Sequence, residues 1–157
     1  MAGMNAEHIN PFLMATTQML KDICGFETKI GKPSVKEAAF HDDTVITMIG
    51  VTGEMKGQVM LAFPKHAACD IASKMCMMPI EELDEISKSA ICELTNMIMG
   101  NAATIFSTKG IGIDITPPTM CMGNVSFSSS VAQNIAIPLS YEADRTLEMH
   151  VTIKGQE

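Results

Sequence analysis

Between Glu81 and Ser107 apolar side chains recur at α-helical spacing, and no other stretch of the chain keeps one period for so long. At about 100° per residue, Ile91, Leu94, Ile98, Ala102 and Ile105 fall within roughly 80° of arc, a stripe fit for burial. Glu81, Glu82, Asp84 and Glu85 crowd the predicted first turns, where the helix dipole favours negative charge, and Lys109-Gly110 closes the segment. A helix of this length with one apolar side needs a broad apolar surface to lie on.

Strand-like runs supply that surface. Phe26 to Ile30 alternates apolar with polar residues and is closed by Gly31-Lys32-Pro33-Ser34. Thr44 to Thr52, a turn at Gly53-Glu54-Met55-Lys56-Gly57, and Gln58 to Phe63 predict a hairpin. Further strands are expected at Ile111 to Thr116, Met120 to Phe127, Ile135 to Tyr141 and Thr146 to Ile153, separated by Pro117-Pro118, Ser128-Ser129-Ser130 and Glu142-Ala143-Asp144. A first helix is predicted from Asn10 as N-cap and Pro11 at N1, through Phe12, Ala15, Met19 and Ile23, to a stop at Gly25. Pro64 opens a shorter helix to about Met77.

Residues 25–34 lie over residues 110–119 as a weak repeat at an offset of 85, each copy preceded by a long helix and followed by strands. The expected fold is therefore α/β in the α+β sense: two long helices packed on a mainly antiparallel sheet, built from a duplicated helix-plus-strands unit. One domain over residues 1–157 is expected, with residues 1–4, where Met1-Ala2-Gly3 precedes a second Met, outside the ordered fold or added in cloning.

A formal charge of −7 and a pI near 5.0 exclude a partner bound by neutralising a phosphate backbone, so no nucleic acid is expected. Apolar runs end well short of the roughly 20 residues a bilayer span requires, and no basic-then-apolar leader opens the chain; a soluble, cytoplasmic protein without membrane contact is predicted. Cys24, Cys69, Cys76, Cys92 and Cys121 are irregularly spaced, with no Cys-x-x-Cys and no paired His, so no metal site is expected. Met75-Cys76-Met77-Met78 could suit Cu(I), but helix-end packing is the expectation in a chain with fifteen Met. His8, His41, His66 and His150 are read as surface or loop residues.

Opposite the apolar stripe of the long helix stand Ser89, Glu93, Asn96, Gly100, Ala103 and Ser107. An ordinary solvent face carries long, flexible Lys, Glu and Gln; this one has small residues, a single acid and a short carboxamide. Gly100 in a helix interior costs about 1 kcal/mol relative to Ala, for which close approach of another backbone is the expected return. A carboxamide oxygen can accept from a water while its NH2 donates, so Asn96 can orient a nucleophile without being a strong base. Hydrolysis of an acyl phosphate requires that placement above all, because its carboxylate leaving group is already good. Glu93, one turn earlier, can pair with a cation beside the phosphorylated group.

Ser89-x3-Glu93-x2-Asn96, with Gly100 downstream and the flanking segments Val45–Gly53 and Ile113–Thr119, resembles the Asp/Ser-x3-Glu-x2-Asn pattern of the CheX/CheC/FliY phosphatases, and the CheX branch most of all. The resemblance spans nearly the whole chain. It implies hydrolysis of the aspartyl phosphate of a CheY-like response regulator, with Glu93 and Asn96 catalytic, Ser89, Gly100 and Met97 meeting the partner, no cofactor bound by this chain, and Mg2+ held in the partner's site. It also implies a homodimer. CheC and FliY proteins carry two copies of the pattern; here the offset of 85 places His8 and Pro11 opposite Glu93 and Asn96, so the first helix is read as having lost the pair. Glu7-x-x-Asn10 stands one position out, with a capping role expected beside Pro11.

Other readings remain open at this stage: a solvated face holding a chance motif, a non-catalytic dimeric adaptor with the same architecture, and a thiol enzyme using Cys92. No His stands at a readable partner position for that thiol, and an intact Glu93 and Asn96 oppose the adaptor.

Overall fold

The computed structural model describes residues 6–41, 43–128, 132–142 and 144–155. The expectation for residues 1–4, and those for Ser129, Ser130 and Ala143, lie outside these. In chain order the elements are α1 (Ala6–Cys24), β1 (Thr28–Ile30), β2 (Ser34–Val35), β3 (Ala38–Phe40), β4 (Thr44–Gly53), β5 (Met55–Pro64), α2 (Lys65–Cys76), α3 (Glu85–Thr108), β6 (Ile113–Ile115), β7 (Thr119–Met122), β8 (Val125–Phe127), β9 (Ile135–Tyr141) and β10 (Arg145–Gly155).

The main antiparallel sheet runs β1-β9-β10-β5-β4-β6, with β2 also on β9 and β7 also on β4. Strand alternation sorts its side chains onto two faces. Val45, Ile49, Val59, Leu61, Ile137, Leu139, Met149 and Val151 face the helices and join Phe12, Leu20, Ile91, Ile98 and Phe106 in the main core. The other face holds Ile46, Met60 and Ala62, covered by the β3-β8 ribbon through Ala38 and Phe40. The α+β architecture with two long helices on a mainly antiparallel sheet stands as expected, with α2 as a third, shorter helix.

The duplication is visible in the pairing. β1 and β6, the strands aligned by the repeat, each join the hairpin of the other half: Ile30 pairs with Leu139 and Ile115 with Val51. Gly31 N–H donates to the Pro138 carbonyl at 2.7 Å, as Thr116 N–H donates to the Gly50 carbonyl at 3.0 Å.

Along the helices, however, the offset is not 85. At the end of α3, Gly110 N–H reaches the Ser107 carbonyl and Ile111 N–H the Phe106 carbonyl; in α1, Gly25 N–H reaches Lys21 and Phe26 N–H reaches Leu20. Each α1 bond spans one residue more. Both glycines take positive φ, +74° at Gly25 and +79° at Gly110, so the caps correspond while α1 holds one extra residue in its last turn. Upstream of the caps Leu20 therefore answers to Phe106, an offset of 86. Burial agrees: Ile9, Phe12, Leu13, Thr16 and Leu20 are buried as are Thr95, Ile98, Met99, Ala102 and Phe106.

Several sequence expectations are corrected. α1 already includes Ala6, so Asn10 is no N-cap and Pro11 lies inside the helix, buried. Helix α3 begins at Glu85 with Asp84 as its N-cap, accepting from Ser87 N–H at 2.8 Å, and Glu81 and Glu82 precede it. β5 starts earlier than expected, because Met55 to Gly57 already pair with β10, while its ladder with β4 ends at Val51 opposite Gly57. Ile105 is only partly buried, while Ser87, Thr95, Met99 and Phe106 are buried with the predicted stripe. Met77 and Met78 do not pack the end of α2; Met77 caps it in the left-handed region and is 91% exposed.

His150 is the sharpest miss. It is fully buried on β10, not a surface or loop residue. Nδ1 lies 2.8 Å from the Asn134 amide and Nε2 2.9 Å from Glu148, and the ring sits edge-on to Phe40 at 4.9 Å. Glu148 also accepts from Lys36 at 2.9 Å. The hydrogen bond from His150, foremost, and the Lys36 contacts hold the Glu148 carboxyl down at about 2 from its ordinary 4.5. A depressed carboxyl stabilises the fold above its unfolded value and loses that contribution as pH falls through the folded one. Urea unfolding should therefore show stability declining between pH 4.5 and about 2, and Glu148→Gln should flatten the decline in that window.

Candidate functional site

Helix α3 keeps its roll angle through a buried polar anchor. Thr95 Oγ1 bonds the Ile91 carbonyl at 3.0 Å and lies 2.8 Å from Thr47 Oγ1 on β4, beneath the helix. With that side fixed inward, Ser89, Glu93, Asn96 and Gly100 are all exposed on the other side, and Met97, 37% exposed, stands beside them. The predicted site residues thus share one accessible helix face. A Cβ at Gly100 would meet nothing within 4 Å, so no close approach within the chain demands glycine there.

Beside this face runs a shallow groove of about 420 Å3, bordered by Ser89, Cys92, Glu93 and Asn96 on the helix and by residues 115–118 opposite. The opposite wall is stapled to β4. Thr116 N–H donates to the Gly50 carbonyl at 3.0 Å, and Gly50 N–H donates to Thr116 Oγ1 at 2.8 Å. Gly50 makes room for this, since a Cβ would come within 3.2 Å of Thr116 Cγ2. Sequence reading missed Thr116, Pro117 and Pro118 as a wall of the site. The available signal was Pro-Pro directly after a short strand, a stiff segment that cannot extend the ladder.

The groove offers one carboxylate, one amide and two hydroxyls. Burial pushes the Cys92 thiol up, away from the reactive thiolate, and no histidine is among the residues bordering the groove. The thiol-enzyme reading loses its nucleophile. All five cysteines are free, and among the described residues no three His, Cys, Asp or Glu side chains gather as a metal-binding set. No described helix is long and apolar enough to cross a membrane.

Thr95→Ala should leave the exposed face intact but strand the Thr47 hydroxyl. A loss of about 1–3 kcal/mol in urea unfolding is expected, with the site's activity at low temperature essentially unchanged.

The chain is similar to the curated CheY-P phosphatase CheX of Thermotoga maritima, 31% identical over 153 residues, covering 97% of this chain and 99% of the relative. Its fold is close to that of a CheC-like superfamily protein from Shewanella sp. PV-4, with a TM-score of 0.86 and 32% identity over 97% of this chain and 100% of the other. It is also similar to a chain in the CheX-CheY-BeF3-Mg2+ complex from Borrelia burgdorferi, with a TM-score of 0.78 and 27% identity over 98% of this chain and 100% of that one. The family model described as chemotaxis phosphatase CheX matches residues 45–144, a stretch that holds β4 from its second residue, β5, α2, all of α3 and the Thr116-Pro117-Pro118 wall, and the chain belongs to that family.

Proposed function

We propose that this chain hydrolyses the aspartyl phosphate of a CheY-like response regulator, with Asn96 orienting the attacking water and Glu93 pairing with the lysine of the regulator's active site. The observation that carries this reading is the joint exposure of Glu93 and Asn96 on one rigid helix face beside a groove, in a chain of this family. The Borrelia complex, in which a CheX chain meets CheY with beryllofluoride and Mg2+, supports the choice of partner. It also supports Mg2+ arriving with the regulator, as does a groove with a single carboxylate.

The chemistry asks little of the protein beyond placement. Asn96 Oδ1 accepts from the water while Nδ2 donates toward the phosphoryl oxygens, which sets the water in line with the P–O bond. The water oxygen bonds to phosphorus as the P–O bond to the aspartate breaks, leaving a carboxylate and dihydrogen phosphate. Gly100 and the open space around it let the regulator's backbone approach, Ser89 meets its rim, and Met97 offers an adaptable apolar contact. The domain acts in the cytoplasm as a homodimer with one such α3 face per protomer.

The direct test is the lifetime of an acetyl-phosphate-labelled CheY-type regulator with and without the full chain. A shortened lifetime is expected; binding with an unchanged lifetime would make the protein an adaptor. Glu93→Ala should raise the apparent KM at least about tenfold, as loss of one member of a desolvated ion pair does. An unchanged KM and rate would count against the lysine pairing.

A further inference from the structure

We infer that Thr116-Pro117-Pro118 is a second docking element for the regulator, which receives an apolar loop of the partner beside the α3 face, and that Thr116 is the residue holding it in position. This rests on the reading of α3 given above. β6 and β7 are one strand in two pieces, since both pair with β4. Val51 lies opposite Ile115 and Met48 opposite Thr119, so Ile49 and Gly50 face three residues, 116–118. The additional residue is a β-bulge, a feature that bends its strand and re-aims side chains, often next to an active site. Here the bulge borders the groove across from Glu93 and Asn96.

The strand leading into the bulge is fastened at both ends. Glu54 N–H donates to the Gly112 carbonyl at 3.0 Å, and the Glu54 carboxylate accepts from Gly112 N–H. At the far end Gly50 N–H meets the Thr116 hydroxyl in place of a ladder carbonyl. Pro117 and Pro118 have fixed φ and no N–H, so the projecting part is stiff before a partner arrives and presents ring carbons rather than donors. Pro117 is exposed. An apolar loop settles on such a surface at little entropic cost, whereas a polar one would leave its acceptors unpaired. Prolines on an edge strand also guard it against pairing with other chains. Guarding requires no clasp to Gly50 and has no effect on the regulator's affinity, which makes the two roles separable.

The test pairs steady-state decay of an acetyl-phosphate-labelled CheY-type regulator with titration by its beryllofluoride-activated form. Thr116→Val keeps the side chain's shape and removes the acceptor for Gly50 N–H. It should raise the apparent KM and the Kd about threefold to tenfold, with kcat within about twofold of wild type. Thr116→Ser restores the hydroxyl and should return both constants to wild type. Pro117→Glu sets an unpaired charge on the exposed wall, where the fold tolerates it, and should raise both constants more than about tenfold. Unchanged KM and Kd in Thr116→Val and Pro117→Glu would overturn the docking role and leave the prolines as guards of the sheet edge. A fall in kcat at constant KM would overturn it as well. A wild-type chain that binds the activated regulator without shortening the phosphate's lifetime would refute water placement by α3 instead, and the Kd values would still decide the role of the wall.

Discussion

Asn96→Ala is expected to slow regulator dephosphorylation by about 100-fold while binding of the beryllofluoride-activated regulator changes less than twofold. Alanine keeps the helix and the surface of the docking face, and removes only the amide that holds the water in line. Since Asn96 is exposed and its neighbour Thr95 carries the buried anchor to β4, the substitution has no structural route by which to weaken docking. Single-turnover decay, read beside titration with the beryllofluoride complex, separates the two effects. Equal losses in binding and rate would remove Asn96 from water placement and leave it a contact residue.

Phe106→Ala should destabilise the fold by about 3–5 kcal/mol, a large part of the 5–15 kcal/mol that domains of this size possess. Phe106 is fully buried, its ring meets Phe12 edge-on at 5.1 Å, and the two rings join α3 to α1 over the sheet. Helix packing at this point fixes how the candidate face of α3 is presented. Urea unfolding measures the loss, and a cycle with Phe12→Ala should show the two substitutions to be less than additive, because they empty one shared space. A loss under about 1 kcal/mol would mean that the helix pair collapses onto the cavity without resistance.

Where a segment carried its own signal, the chain was readable. β9 has the predicted ends, Ile135–Tyr141, because its run of β-formers is unbroken and sharply bounded. Ser89, Glu93, Asn96 and Gly100 emerged on one exposed side because the helical period alone sorts them. β2 and β3 were missed: two and three residues long, they exist through partners about a hundred positions away in β9 and β8. His150 was misread for a related reason. Polar residues at alternate strand positions look like a solvent face, and only the β3-β8 ribbon turns that face into an interior. The groove wall at Thr116 depends on β6 pairing with β4, which no local pattern reports. Nor could glycines at the helix ends reveal the additional residue in the last turn of α1, since it changes hydrogen bonding and leaves the flanking motif alone.

Because β10 lies between β5 and β9 yet follows every other strand in order, a nascent chain cannot close its sheet before residue 155 has cleared the ribosome. Until then Val59 to Ala62, all buried in the finished molecule, line an unsatisfied edge open to any passing strand. Translation that pauses or stops ahead of Arg145 would release an aggregation-prone fragment rather than a functional half, despite the duplicated plan.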